Sequence, residues 1–175
     1  TGQVVAFENI TELTVAELQS GLNHYLPGDI AIKASYTVPP DFDPRRRALR
    51  RVYRYTLLCA KARSPLRRKS AYFIGRPVDI ATMKECLAYL EGTRDFAVYS
   101  GPLKAGASTI RRLYRAEIWR DRDEVYIELE GNAFLPQQVR RIVGSALQVG
   151  LGRMTIQEFK IQAESGHSGL AQWVV

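Results

Sequence analysis

A chain of 175 residues with 46% hydrophobic and 25% charged content has the make-up of one globular domain or two small ones, which excludes a disordered or fibrous chain. No apolar run approaches the ~20 residues of a membrane span, and no signal-peptide pattern opens the chain. Two cysteines (Cys59, Cys86) and two distant histidines (His24, His167) offer neither a disulfide framework nor a metal site, and they favour a reducing, cytoplasmic setting.

The chain opens on "TGQVVAFE", strand-like from its first residues, and closes on the apolar run "GLAQWVV". Both ends read as cuts through a larger protein. "LTVAELQSGLNHYLPGD" predicts a helix: Thr14 and Glu17 have capping-box spacing, Val15, Leu18 and Leu22 form its apolar stripe, and Pro27 ends it. "GDIAIKASYTV" predicts a strand, rich in Ile, Val, Tyr and Thr. The three prolines and two aspartates of "VPPDFDP" mark a boundary, dividing the chain into residues 1–40 and 41–175.

The net charge of +7 is concentrated just beyond that boundary. Between Arg45 and Lys69 stand eleven basic residues, nine of them arginines, and no carboxylate, whereas the rest of the chain is net acidic. A localised field of one sign implies a polyanionic partner. Charge alone also protects sheet edges, yet edge protection needs a lysine or two, not six arginines in residues 45–54. Arginine's planar fork suits phosphate, and basic residues interleaved with aromatics suit a surface that tracks a backbone and stacks bases. Arg45, Arg46, Arg47, Arg50, Arg51, Arg54, Arg63, Arg67 and Arg68 are therefore the candidate nucleic-acid-binding residues.

Within this segment "RVYRYTLLC" predicts a strand that places Tyr53 and Tyr55 on one face. Each is by itself expected to be an ordinary core aromatic. "AYFIGRPVD" carries a second extended run, and Asp79 caps a helix presenting Ile80, Met83, Leu87 and Leu90. "LYRAEIW" and "EVYIELE" predict two strands about a turn, the second with Val125, Ile127 and Leu129 inward and Tyr126, Glu128 and Glu130 outward. "NAFLPQQVRRIVGSALQVG" predicts a helix with Pro136 in its first turn and Val139, Ile142, Val143, Ala146 and Leu147 on its buried face. Arg141 falls nearly opposite that stripe and is expected in solvent, while Arg140 falls at its margin, free to bend toward a buried carboxylate or to lie along the core edge. Thr155 and Glu158 cap a last helix. The element order predicts an α+β fold: a mixed, mainly antiparallel sheet with helices packed on one face. Asp29, Asp41, Asp43 and Asp95 stand where turn or cap roles explain them.

Taken together, "TGQVVAFE", "LNHYLPGDIAI", "DFDPRRRALRRVYRYTL", "RDFAVYS" and "GNAFLPQQVRRIVGSALQVG" resemble the tRNA pseudouridine synthase A family, in the same order along the chain. The resemblance implies a pseudouridine synthase-like fold and isomerisation of uridine to pseudouridine in the anticodon arm of tRNA, at positions 38–40. It implies no cofactor, no metal and a homodimer. By resemblance Tyr53 stacks on the target base, Arg140 pairs with a nucleophilic aspartate, and Arg45 lies near the cleft. That aspartate belongs to an "RTDAGVHA"-like motif expected just before Thr1, so the chain alone is expected to be inactive. A "PPHGLYL"-like closing strand is likewise expected after Val175. Asp43-Pro44 stands where His-Ala is usual, and Ala6 where histidine is common. Two other readings compete: an RNA-binding module without chemistry, and a structural protein associated with ribosomes.

Overall fold

The computed structural model describes residues 2–166 and residue 171; His167 and the closing run 169–175, apart from Ala171, lie outside the described residues. The chain forms two compact units, residues 1–48 and 49–175.

In the first unit the capping box predicted from Thr14 and Glu17 forms and starts α1 (Val15–Tyr25). The Thr14 hydroxyl accepts from the Glu17 N–H at 3.3 Å, and the Glu17 carboxylate accepts from the Thr14 N–H at 2.8 Å. The strand expected from "GDIAIKASYTV" does not form, and neither does one in the opening residues. A strand exists only through a neighbouring backbone that pairs with it, and here Ile32 and Lys33 are met by the side chains of Asn23 and Gln19 instead. Asn23 grips Ile32, accepting from its N–H at 2.7 Å and donating to its carbonyl at 3.0 Å. Ile10, Tyr36 and Phe7 remain exposed, so apolar content here does not translate into a core.

The second unit is built on a five-stranded sheet in the order β2-β1-β5-β4-β3. Its strands are β1 (Arg51–Leu58), β2 (Tyr72–Phe73), β3 (Gly92–Asp95), β4 (Ile110–Asp121) and β5 (Glu124–Gly131). Only β1 and β2 run parallel; the other pairs are antiparallel. β4 and β5 form a hairpin whose tight turn places Arg122 at φ 53°, the left-handed conformation such turns demand. Nothing in "GTRD" predicts β3; it is a strand because β4 offers it a ladder.

Helices α2 (Ile80–Tyr89), α3 (Gln138–Gly150) and α4 (Ile156–Glu164) pack on one face. Asp79 caps α2 by accepting from Ala81 and Thr82, and the Thr155–Glu158 capping box starts α4. Met83 and Leu87 of α2, Ile142, Val143 and Ala146 of α3 and Phe159 of α4 close over Leu57, Val125, Ile127 and Leu129 of the sheet. All are fully buried, and each of them larger than Ala146 stabilises the fold by roughly 1.5–3 kcal/mol. This is the mixed, mainly antiparallel α+β architecture that the element order predicts.

Two expectations about α3 are corrected. The helix starts at Gln138, not at Pro136, because Gln137 takes φ 63° and Gln138 turns its side chain back to accept from the Leu135 N–H at 2.7 Å. Arg141 is half-buried rather than solvated, and its guanidinium donates to the Ser100 carbonyl. The side of α3 opposite the sheet is covered by the 3₁₀ turn Ala97–Tyr99 and the residues after it, a cover that helical periodicity cannot reveal. Among the described residues no helix is long and apolar enough to cross a membrane.

Candidate active site

β1 distributes its side chains by parity. Tyr53 lies opposite Leu129 and Tyr55 opposite Ile127, both fully buried on β5, so the two tyrosines share the helix-covered face. Tyr55 packs half-buried against the core, as expected of a core aromatic. Tyr53 stands nearer the strand's open end and keeps 48% of its surface exposed. Its ring meets Phe134 edge to face, with centroids 5.2 Å apart and planes at 85°.

Arg140 occupies the first turn of α3 and is exposed. Burial pushes the Tyr55 phenol above its ordinary value, and the Arg140 charge opposes that rise, so the guanidinium sits within electrostatic reach of the tyrosine face. Among the described residues Arg140 makes no ion pair. Arg140 thus stands exposed at the start of α3, with its charge felt at Tyr55.

Phe134 is the residue that sequence reasoning missed. It lies in the short turn between β5 and α3, outside any periodic pattern, and only its place in the "GNAF" block singles it out. The turn is held by Asn132, whose side-chain oxygen accepts from the Arg112 N–H at 2.9 Å and the Ala133 N–H at 2.8 Å.

The arginines of the basic segment divide into groups. Arg45, Arg46 and Arg47 belong to the first unit; Asp43 accepts from the N–H groups of Arg45 and Arg46, and Arg47 pairs with Asp41 at 2.6 Å. Arg54 lies on the sheet face opposite Tyr53, where it pairs with Glu128 at 2.8 Å and covers Trp119. Arg50 and Arg67 join the same face, paired with Glu130 at 2.8 Å and with Glu124 at 2.6 Å. Arg115 of β4 completes the lattice, 2.9 Å from Glu128. The three glutamates are only 12–14% exposed because the arginines lie over them. The carboxylates missing from the basic segment thus arrive from β5. Arg51 donates to the Asn132 carbonyl at 2.9 Å. Arg63 stacks on Phe73, and Arg68 is exposed in the loop after the 3₁₀ turn Pro65–Arg67.

Among the described residues no group of three or more His, Cys, Asp or Glu side chains is placed to hold a metal ion. What the tyrosine face offers is a half-exposed aromatic ring and a guanidinium, a pair suited to a planar base and a carboxylate.

Residues 87–168 match the tRNA pseudouridine synthase family model. The tRNA pseudouridine synthase A of Chloroflexus aurantiacus is 39% identical over 163 residues, covering 91% of this chain and 59% of that protein. Those of Geobacter sp. strain M21 and Geobacter sulfurreducens are 32% and 35% identical, covering 90% and 88% of this chain and 64% and 63% of their own lengths. The chain therefore spans about three fifths of the curated relatives it matches. With nearly all of its residues aligned and the expected α+β sheet beneath them, this chain belongs to the tRNA pseudouridine synthase family.

Proposed function

We propose that the protein carrying this chain isomerises uridine to pseudouridine in the anticodon arm of tRNA, at positions 38–40, as a cytoplasmic homodimer without cofactor or metal. The N1–C1′ glycosidic bond breaks, the detached uracil rotates, and C5 bonds to C1′ while the C5 proton leaves to solvent and N1 takes up a proton in its place. The base must leave its stack to be reached, and a half-exposed tyrosine suits a flipped base. Tyr53 stacks on the uracil and assists removal of its proton; Arg140 orients an aspartate carboxylate and keeps it ionised. The arginines of the basic segment, Arg45 among them, contact RNA, and those paired with the β5 glutamates (Arg50, Arg54 and Arg67) contribute least.

The observation that carries this reading is Arg140: an exposed guanidinium in the first turn of α3 whose charge is felt at Tyr55, with no carboxylate partner among the described residues. A charge held there is available to a carboxylate from elsewhere in the protein. The test is tritium release from 5-labelled uridine in tRNA. The whole gene product should release it, and Arg140→Ala should release it far more slowly. This polypeptide alone should release none. Release by the 175-residue chain would refute the need for a carboxylate from outside it, and tRNA affinity without release by the whole protein would favour the RNA-binding module.

A further inference from the structure

We propose that Phe134 is a positioning residue for Tyr53, seated in a slot that a glycine at position 131 keeps open. This deepens the base-stacking role proposed for Tyr53 and rests on it. The Phe134 ring meets Tyr53 at 85° and 5.2 Å, the favoured edge-to-face geometry. Tyr53 sits on a strand and is otherwise half-exposed, so this contact holds the ring from one side and leaves the rest open to a base.

The turn that delivers Phe134 is tied down on both flanks. Asn132 exchanges bonds with Arg112 of β4, donating its N–H to the Arg112 carbonyl at 3.0 Å and accepting the Arg112 N–H at 2.9 Å. From the other side Arg51, two residues before Tyr53, donates to the Asn132 carbonyl at 2.9 Å. The packing has no slack at Gly131. A Cβ there would lie 3.0 Å from the Arg112 carbonyl and 3.1 Å from the tip of the Phe134 ring, so any larger residue displaces one or the other. The same turn leads directly into α3, whose first turn carries Arg140. One short segment therefore sets both the plane of the base-stacking ring and the origin of the guanidinium.

The test labels Tyr53 with 3-fluorotyrosine in the whole protein and pairs its fluorine spectrum with kinetics on tRNA. Phe134→Leu keeps an apolar side chain but loses the ring edge. It should shift and broaden the Tyr53 signal and lower kcat about tenfold, with KM for tRNA within about twofold. Phe134→Tyr, which keeps the ring, should restore both readouts. Gly131→Ala should reproduce the Phe134→Leu result by displacing the ring, and covers the case in which Phe134→Leu fails to fold. In a Tyr53→Ala background Phe134→Leu should add nothing, because the two act as one unit. An unmoved fluorine signal in Phe134→Leu overturns the positioning role. A wild-type kcat for Phe134→Leu beside a slow Tyr53→Ala overturns this inference alone. A wild-type kcat for Tyr53→Ala overturns instead the base-stacking role of Tyr53.

Discussion

Arg54 and Glu128 form a forked ion pair across β1 and β5, with Nε and Nη2 of the arginine 3.0 and 2.8 Å from one carboxylate oxygen. The pair turns an arginine of the basic segment into part of the sheet's uncovered face. Arg54→Ala should therefore cost about 0.5–1 kcal/mol in urea unfolding and soften further in dilute salt. Its effect on tRNA affinity should be small. Arg68→Ala should do the reverse: unchanged stability, weaker binding, and a salt dependence of binding shallower by about 0.7–0.9 in log–log slope. Equal binding losses for the two variants would show that the ion pair opens on RNA.

Arg140 is exposed and carries none of the core, so its replacement tests chemistry without testing folding. Arg140→Ala should leave the melting temperature within about 1 °C of wild type, as expected for a surface change. In the whole protein it should lower kcat by ~100-fold or more, the scale for losing a preorganised charge. Arg140→Lys should recover only part of that, because an ammonium lacks the planar fork that orients a carboxylate.

Gly150 brings the end of α3 against the start of α2, and its carbonyl accepts from the Asp79 N–H at 2.9 Å. A Cβ there would fall 2.5 Å from Met83 Sδ and 3.2 Å from the Asp79 carbonyl. Gly150→Ala should destabilise by about 1–3 kcal/mol through overpacking. Adding Met83→Ala should return part of the loss, measured as non-additivity in a denaturant double-mutant cycle.

The Glu158 carboxylate accepts from the N–H and the hydroxyl of Thr155, and the backbone bond first of all holds it below the usual carboxylate range. A group depressed in the folded state stabilises fully above its unfolded value, and that contribution vanishes as pH falls through the folded one. The start of α4 should fray in acid below about pH 4, seen as faster amide exchange at residues 156–159. Glu158→Gln should show the faster exchange at neutral pH as well, with less further change in acid.

Burial pushes the Cys86 thiol up to about 11, with Glu85 adding to the rise, and burial also raises Cys59. The thiolate is the reactive form, so neither residue should react quickly with an aromatic disulfide reagent at about pH 8. Two equivalents should appear only on denaturation. A fast native equivalent would point to Cys59, which is only half-buried and has Arg120 beside it, and would show that the arginine outweighs burial there.

Local order was legible where short-range chemistry decides it. The Thr14–Glu17 and Thr155–Glu158 capping boxes, the Asp79 cap and the strict alternation of β5 each depend on residues within four positions of one another. What pairs with what was not legible. The "EVYIELE" alternation puts Glu128 and Glu130 outward, and "RVYRY" puts Arg54 on the face away from Tyr53. Only the β1–β5 register sets Arg54 opposite Glu128, with Arg50 reaching Glu130. The strand expected over "GDIAIKASYTV" failed for the same reason in reverse, since its propensity found no neighbouring ladder. Arg141 misled because helical periodicity measures one side of a helix and assumes water on the other.

The residues by themselves determined the starts of α1, α2 and α4, the inward face of β5, the α+β class and the concentration of positive charge, because propensity, capping and composition act within a few bonds. Tertiary structure alone decided which arginines are neutralised, that Arg140 stands exposed with its charge felt at Tyr55, and that Phe134 braces Tyr53. Those outcomes depend on contacts between residues far apart in the chain, such as Arg54 with Glu128 and Tyr53 with Phe134, and no local pattern encodes a distance that only the closed sheet creates.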